Sequence, residues 1–149
     1  IRVIEFNARF GDPETQVVLR RLTSSLSGLL YKAATGQLNG TATPDFTKDV
    51  AITVVLASEG YPDTAAPNRP IYGLGEAEET GIEICHAATA FQETRTGEEV
   101  LVATGGRVLS VVATGTDFAS ARKQAYAGIE KIQLEGSHYR SDIAAKVAN

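Results

Sequence analysis

Near the start of this sequence, in the stretch VIEFNARFGDPETQ (residues 3–16), Glu5, Asn7 and Arg9 alternate with Ile4, Phe6, Ala8 and Phe10. On a strand, successive side chains point to opposite faces, so the three polar groups share one face. Their α-carbons then repeat about every 6.6–6.8 Å. A carboxylate and an amide are hard oxygen donors of the kind Mg²⁺ takes, commonly one or two from protein with the rest from phosphate and water. An Arg farther along the same face can grip a phosphate oxygen with its planar fork. Gly11-Asp12-Pro13-Glu14 follows, and a helix N-terminus there favours anions. Together these residues compose a metal–phosphate edge. The plain alternative is a polar strand face turned to solvent.

The elements that must carry this edge follow from periodicity. Residues 2–10 alternate polar and apolar, which predicts a half-buried strand. Asp12 suits a helix cap, Pro13 the first helical position and Glu14 the positive end of the helix dipole. Val18, Leu22, Leu26, Leu29, Leu30 and Ala33 recur at helical spacing up to Gly36. They predict one helix over residues 13–35, about six turns long. Residues 36–49, rich in Gly, Thr, Asp and Pro, are the expected domain boundary, which divides the chain into 1–45 and 46–149. Beyond it the texture turns to β. Strands are expected over residues 50–57, 81–91, 98–104 and 107–114, with a long loop over 58–69. Gly105-Gly106 reads as a two-residue hairpin turn between the last two strands. Thr116 or Asp117 then caps a helix whose buried face is Phe118, Ala121, Ala125, Ile129 and Ile132. The tail predicts one short strand or turn.

Composition narrows the function classes. The chain has 149 residues, 43% of them hydrophobic, and a net charge of -4, enough to bury an ordinary core. It carries no basic run that would track a phosphate backbone, so no nucleic-acid partner is expected. No apolar stretch is long enough for a membrane span, and no membrane partner is expected either. Cys85 is the single cysteine, which leaves no internal disulfide and points to a reducing, cytoplasmic setting. With it and two His a structural zinc site is not expected. The chain opens on Ile1 and holds no Met, which predicts a piece of a longer protein.

The stretch 3–16 resembles the end of the ATP-grasp domain in the phosphoribosylamine–glycine ligase (glycinamide ribonucleotide synthetase) family. The resemblance is extended by ITVVLASEGYP at 52–62, HAAT at 86–89, ATGGRVLSVVATG at 103–115 and AYAGIEKIQLEGSHYRSDI at 125–143. A Glu-x-Asn-x-Arg strand alone would indicate ATP-grasp ligases in general; the downstream segments narrow it. The resemblance implies an α+β fold: the last strand and helix of an ATP-grasp domain, then a small antiparallel β-rich carboxy-terminal domain with one packed helix. It implies Glu5 and Asn7 as ligands of Mg²⁺ (or Mn²⁺), and Arg9 as the catalytic, substrate- or phosphate-facing arginine. It places Arg9, Asp12 and Pro13 beside the phosphoribosylamine. It also implies ATP as co-substrate, glycine as the acid, a glycyl phosphate on the path, and a role in purine biosynthesis. The amino-terminal part of such a protein, with its ATP lid and adenine-clamping residues, would be a partner of this piece, which alone would be inactive. A strand at 2–10 without its sheet neighbours would lie on the carboxy-terminal domain, pair with another copy, or be mobile. Another ATP-grasp carboxylate–amine ligase, or a β-rich binding module without catalysis, remains open.

Other candidates read more plainly. Gly73-Leu74-Gly75 lacks the third glycine of a dinucleotide fingerprint and reads as a loop. The Gly105-Gly106-Arg107 turn has no lysine for a biotinyl or lipoyl group; Arg107 could reach a phosphate or simply be solvated. Cys85 and His86 are neighbours on a strand and face opposite sides, so they make no nucleophile pair. Cys85 reads as a small buried hydrophobe. His138, Tyr139 and the Glu59-Gly60-Tyr61-Pro62 loop are secondary ligand candidates. The family often has His-Ala-Gly-Thr where this chain has His86-Ala87-Ala88-Thr89, which questions a glycine-dependent approach there.

Overall fold

VAITVVLA, residues Val50–Ala57, is a run of β-branched and apolar residues that suits a pleated surface and forms strand β1. In the computed structural model, which describes residues 1–148, β1 pairs antiparallel with β6 (Arg107–Gly115). The register runs from Val50 opposite Gly115 to Leu56 opposite Leu109. On its other edge β6 pairs with β3 (Glu83–His86), giving the order β1-β6-β3. Val108 to Ala113 of β6 are buried without interruption. A strand covered on both faces loses its polar–apolar alternation.

The register sorts the side chains between those two faces. Ile52, Val54 and Leu56 stand beside Ala113, Val111 and Leu109. All six are buried and join Ala121, Ala125 and Ile129 of α4 (Phe118–Ile129) in the core. Asp117 caps α4: its carboxylate accepts the Ser120 N–H at 2.7 Å, and the Ser120 hydroxyl reaches back to the Asp117 backbone. Thr53 and Val55, with Val112 and Ser110 opposite and Glu83 and Cys85 beyond, point the other way. Helix α1 (Glu14–Arg21) packs on β1. Arg20 Nη1 meets Glu83 Oε1 at 2.6 Å. Arg21 donates to the carbonyls of Thr47 and Asp49 at 3.0 and 2.7 Å. The C-terminal end of α1 therefore stands at the start of β1, and its N-terminal end at the start of β6.

A second sheet, in the order β2-β5-β4, is built from β2 (Arg69–Pro70), β5 (Glu99–Ala103) and β4 (Thr89–Glu93). Between the sheets in sequence lies the short helix α3 (Leu74–Glu78), which touches α4. Gly73 opens it at φ 80°, and a side chain there would strike the Lys131 carbonyl.

Several expectations need correction. Residues 2–10 form no strand and are exposed. A strand's backbone bonds come from a neighbouring strand, and none pairs with this segment among the described residues. The helix over 13–35 is two helices, α1 and α2 (Leu26–Ala34). Leu22 leaves the helix and bridges Phe46, and Thr23 donates its N–H to Asp45 at 2.9 Å. Ser25 then caps α2 by accepting the Gly28 N–H at 3.2 Å. Asp12 is not the cap of α1; Pro13 occupies that place without a capping side chain. The expected strand over 81–91 breaks at Ala87-Ala88, and its halves join different sheets. Gly105-Gly106 is not a hairpin turn, since β5 and β6 belong to different sheets. The supposed loop at 73–75 contains the start of α3. Phe118, placed on the buried face of the last helix, stays 39% exposed.

Candidate functional site

Glu5, Asn7, Ala8, Arg9, Phe10 and Glu14 line one open hollow. The three predicted polar residues thus meet around a common space even though no strand aligns them. Arg9 Nη1 donates to the Phe10 carbonyl at 2.9 Å. Glu14 Oε2 accepts the Gly11 N–H at 2.9 Å, and the Thr15 hydroxyl donates to the Gly11 carbonyl at 2.8 Å. These local bonds shape the turn that leads into α1.

The donors fit a hard cation of a particular kind. Among the described residues no group of three or more His, Cys, Asp or Glu gathers to hold a metal. What the hollow offers is the Glu5 carboxylate and the Asn7 amide oxygen, both exposed, beside the Glu14 carboxylate, which already accepts the Gly11 N–H. Mg²⁺ is commonly held by one or two protein oxygens while water and phosphate fill the rest. This donor set suits Mg²⁺ and would not make a closed all-protein cage.

Asp12 and Pro13 stand apart from that lining. Arg107 Nη1 donates to the Asp12 carbonyl at 2.8 Å, and its Nη2 lies 3.4 Å from Asp12 Oδ2. The other Asp12 oxygen accepts from Gln16 Nε2 at 3.0 Å. Arg107, read from sequence as a free phosphate binder or a solvated residue, is instead committed to this turn.

The same end of the β1-β6-β3 sheet gathers the secondary candidates. Ala57 and His138 exchange backbone hydrogen bonds at 2.8 and 3.0 Å, and the Ser58 N–H donates to the Gly106 carbonyl at 2.8 Å. The Tyr61 ring packs on Gly106, where any side chain would collide with it. His86 Nδ1 bonds the Thr89 hydroxyl at 3.0 Å. Ala88, at the position where glycine was expected, is accommodated by its neighbour: a Cβ on Gly105 would come within 3.0 Å of the Ala88 methyl.

Arg69 organises this end and had no local signal in the sequence. Its Nη2 donates to Ser58 Oγ at 2.5 Å, its Nη1 meets Glu59 Oε2 at 3.2 Å, and it also bonds the Glu135 carbonyl. Glu59 is thereby half of an ion pair rather than a free carboxylate. Ser58 is fully buried and donates onward to the Ala66 carbonyl at 3.0 Å. Partners at positions 58, 59 and 135 come together only through the fold.

Two titratable candidates are unsuited to nucleophilic work. Burial, then the carboxylates of Glu83 and Asp12, push the Cys85 thiol up, away from the reactive thiolate. Cys85 is half-buried rather than fully enclosed. Burial, then Glu130 and Tyr126, push Tyr139 up too; its ring packs 6.1 Å from that of Tyr126. Among the described residues no helix is long and apolar enough to cross a membrane.

The chain is similar to known proteins along most of its length. Residues 51–146 match the family model described as phosphoribosylglycinamide synthetase, C domain. A phosphoribosylamine–glycine ligase from Leifsonia xyli subsp. xyli is 59% identical over 98% of this chain and 34% of its own length. One from Streptomyces coelicolor is 50% identical over 99% of this chain and 35% of its own. The chain spans about a third of the length of these curated relatives. The crystal structure of a phosphoribosylamine–glycine ligase from Thermotoga maritima superposes with a TM-score of 0.72 at 34% identity, covering 94% of this chain and 32% of that one. Antiparallel sheets with a few helices are thus shared with a solved relative.

Proposed function

The chain belongs to the phosphoribosylglycinamide synthetase C-domain family, and from that membership we propose that it is the carboxy-terminal third of a phosphoribosylamine–glycine ligase of purine biosynthesis, working in the cytoplasm. Residues 1–45 close the ATP-grasp domain and residues 46–149 form the carboxy-terminal domain. The full ligase joins glycine to phosphoribosylamine. A glycine carboxylate oxygen attacks the γ-phosphorus of ATP, and ADP leaves. The amine nitrogen then attacks the acyl carbon of the glycyl phosphate, and inorganic phosphate leaves as the amide forms.

The supporting observation is that Glu5, Asn7 and Arg9 line one hollow beside the Gly11–Glu14 turn. In this reading Glu5 and Asn7 hold Mg²⁺ (or Mn²⁺) through oxygen. When bound, the ion neutralises charge on the ATP phosphates as the phosphoryl group moves. Arg9 is the catalytic guanidinium that faces phosphate, giving a planar pair of donors to its oxygens. Asp12 and Pro13 shape the wall beside the phosphoribosylamine. The hollow is open and its residues exposed, so the remaining walls come from the amino-terminal part of the protein. The 149-residue chain is inactive alone, and its exposed Ile4, Phe6 and Phe10 are covered by that part or, in its absence, by a second copy. Nucleic acid and membrane have no part in it.

The test is Asn7→Leu and Glu5→Gln in the full-length protein, with Mg²⁺ titrated at saturating ATP. Both variants should keep the fold by circular dichroism; Asn7→Leu should lose turnover, and Glu5→Gln should turn over only at raised Mg²⁺. Wild-type Mg²⁺ dependence in both would remove these residues from the site.

A further inference from the structure

On the reading that the Gly11–Glu14 turn borders the substrate, we propose that Arg107 is a positioning residue. It fixes this turn, the wall beside the phosphate-bearing amine, against the sheet domain. Arg107 touches the turn at two points: the Asp12 carbonyl at 2.8 Å and the Asp12 carboxylate at 3.4 Å. Two contacts from one planar group define a direction as well as a distance. Among the described residues, it is the one side chain of residues 50–148 hydrogen-bonded to residues 1–13.

Arg107 can serve this purpose because its own backbone is held from several sides. Its Cα pairs with Ala57 of β1, and its carbonyl accepts the Ala88 N–H at 3.2 Å. The preceding carbonyl, of Gly106, accepts the Ser58 N–H at 2.8 Å, and the Tyr61 ring sits on Gly106 itself. Ser58 is anchored in turn by Arg69 at 2.5 Å. A continuous set of contacts thus runs from the interior of the sheet domain to the turn. The Arg107–Asp12 pair is about half exposed on both sides, so its value lies in orientation more than in Coulomb attraction.

The experiment compares Arg107→Met and Arg107→Lys with the wild type by two readouts. In the 149-residue chain, hydrogen exchange of the bonded amides of Gly11 and Thr15 should quicken about tenfold in Arg107→Met, the scale of one charge-assisted hydrogen bond. Arg107→Lys should be intermediate, and the β1 and β6 amides should stay within about twofold. In the full-length protein, KM for the phosphate-bearing amine should rise about tenfold in Arg107→Met, with kcat and the KM for ATP within about twofold. Unchanged exchange at Gly11 and Thr15 overturns the proposal. Faster exchange with unchanged KM overturns it too, leaving Arg107 a structural tie. If Arg107→Met loses core protection, Arg107→Lys carries the same criteria. If the wild-type protein ligates nothing, the ligase reading fails, and the exchange result still decides whether Arg107 fixes the turn.

Discussion

Gly128 lies in α4 with its face against Ile82, and replacing it by Ala sets two effects against each other. Helix propensity alone favours Ala by at most about 1 kcal/mol. Packing opposes it. A Cβ built on Gly128 would stand 2.6 Å from Ile82 Cγ1, 3.0 Å from Ile82 Cγ2 and 3.0 Å from Thr80 Oγ1. Carbon atoms rest comfortably near 3.5–4.0 Å, so Ile82 must retreat by about 1 Å. Ile82 is buried, and Thr80 is held by its hydroxyl bond to the Ala77 carbonyl at 2.7 Å. Forcing a methyl into such a site costs about 1–3 kcal/mol, which exceeds the propensity gain. Gly128→Ala should therefore destabilise the chain by about 1 kcal/mol in urea unfolding, with an unchanged slope. In an Ile82→Ala background the obstruction is gone, and the same substitution should become neutral or stabilising. A Gly128→Ala variant more stable than wild type with Ile82 intact would refute the packing argument.

Three further outcomes follow from particular contacts. Cys85 should react slowly with a disulfide reagent at neutral pH, with its rate midpoint above that of an ordinary thiol, because burial and then Glu83 and Asp12 raise it. Glu83→Gln should lower that midpoint. Asp117 is held below the usual carboxylate range, chiefly by the Ser120 backbone and side-chain hydrogen bonds. Its contribution is present above its unfolded value of about 4 and is lost as pH falls through the lower folded value, so the stability gap between wild type and Asp117→Ala should close in acid. The Arg20–Glu83 pair leaves both side chains about half exposed. Its double-mutant coupling should stay below about 1 kcal/mol and shrink with added salt.

Local signals carried well where one element decided its own fate. Val50–Ala57 was legible because a β-branched run has few other uses, and the bounds agree with β1. A cap at Thr116 or Asp117 was legible because a side-chain acceptor sits just before the helical pattern of Ala121, Ala125 and Ile129, and the fold uses Asp117. Elements that depend on a partner were harder to read. Residues 2–10 alternate as a strand does, yet alternation supplies no neighbour to bond with. The continuous apolar spacing from Val18 to Ala33 hid the break at Leu22. Thr23-Ser24-Ser25 was the overlooked signal, since hydroxyl side chains compete for backbone bonds and favour caps. Gly105-Gly106 looked like a turn, but its small residues make room for Tyr61 and Ala88 where the chain changes sheets. For the candidate site, the spacing of Glu5, Asn7 and Arg9 pointed to one shared space. The commitment of Arg107 to Asp12, 95 residues away, could only come from the fold.

The most direct measurement is product analysis on the full-length protein that carries this chain, supplied with ATP, Mg²⁺, glycine and phosphoribosylamine. The account predicts that ADP, phosphate and glycinamide ribonucleotide appear together in equal amounts by mass spectrometry, and that omitting glycine abolishes the product. ATP consumption without glycinamide ribonucleotide, or amide formation with another acid while glycine is ignored, would contradict it.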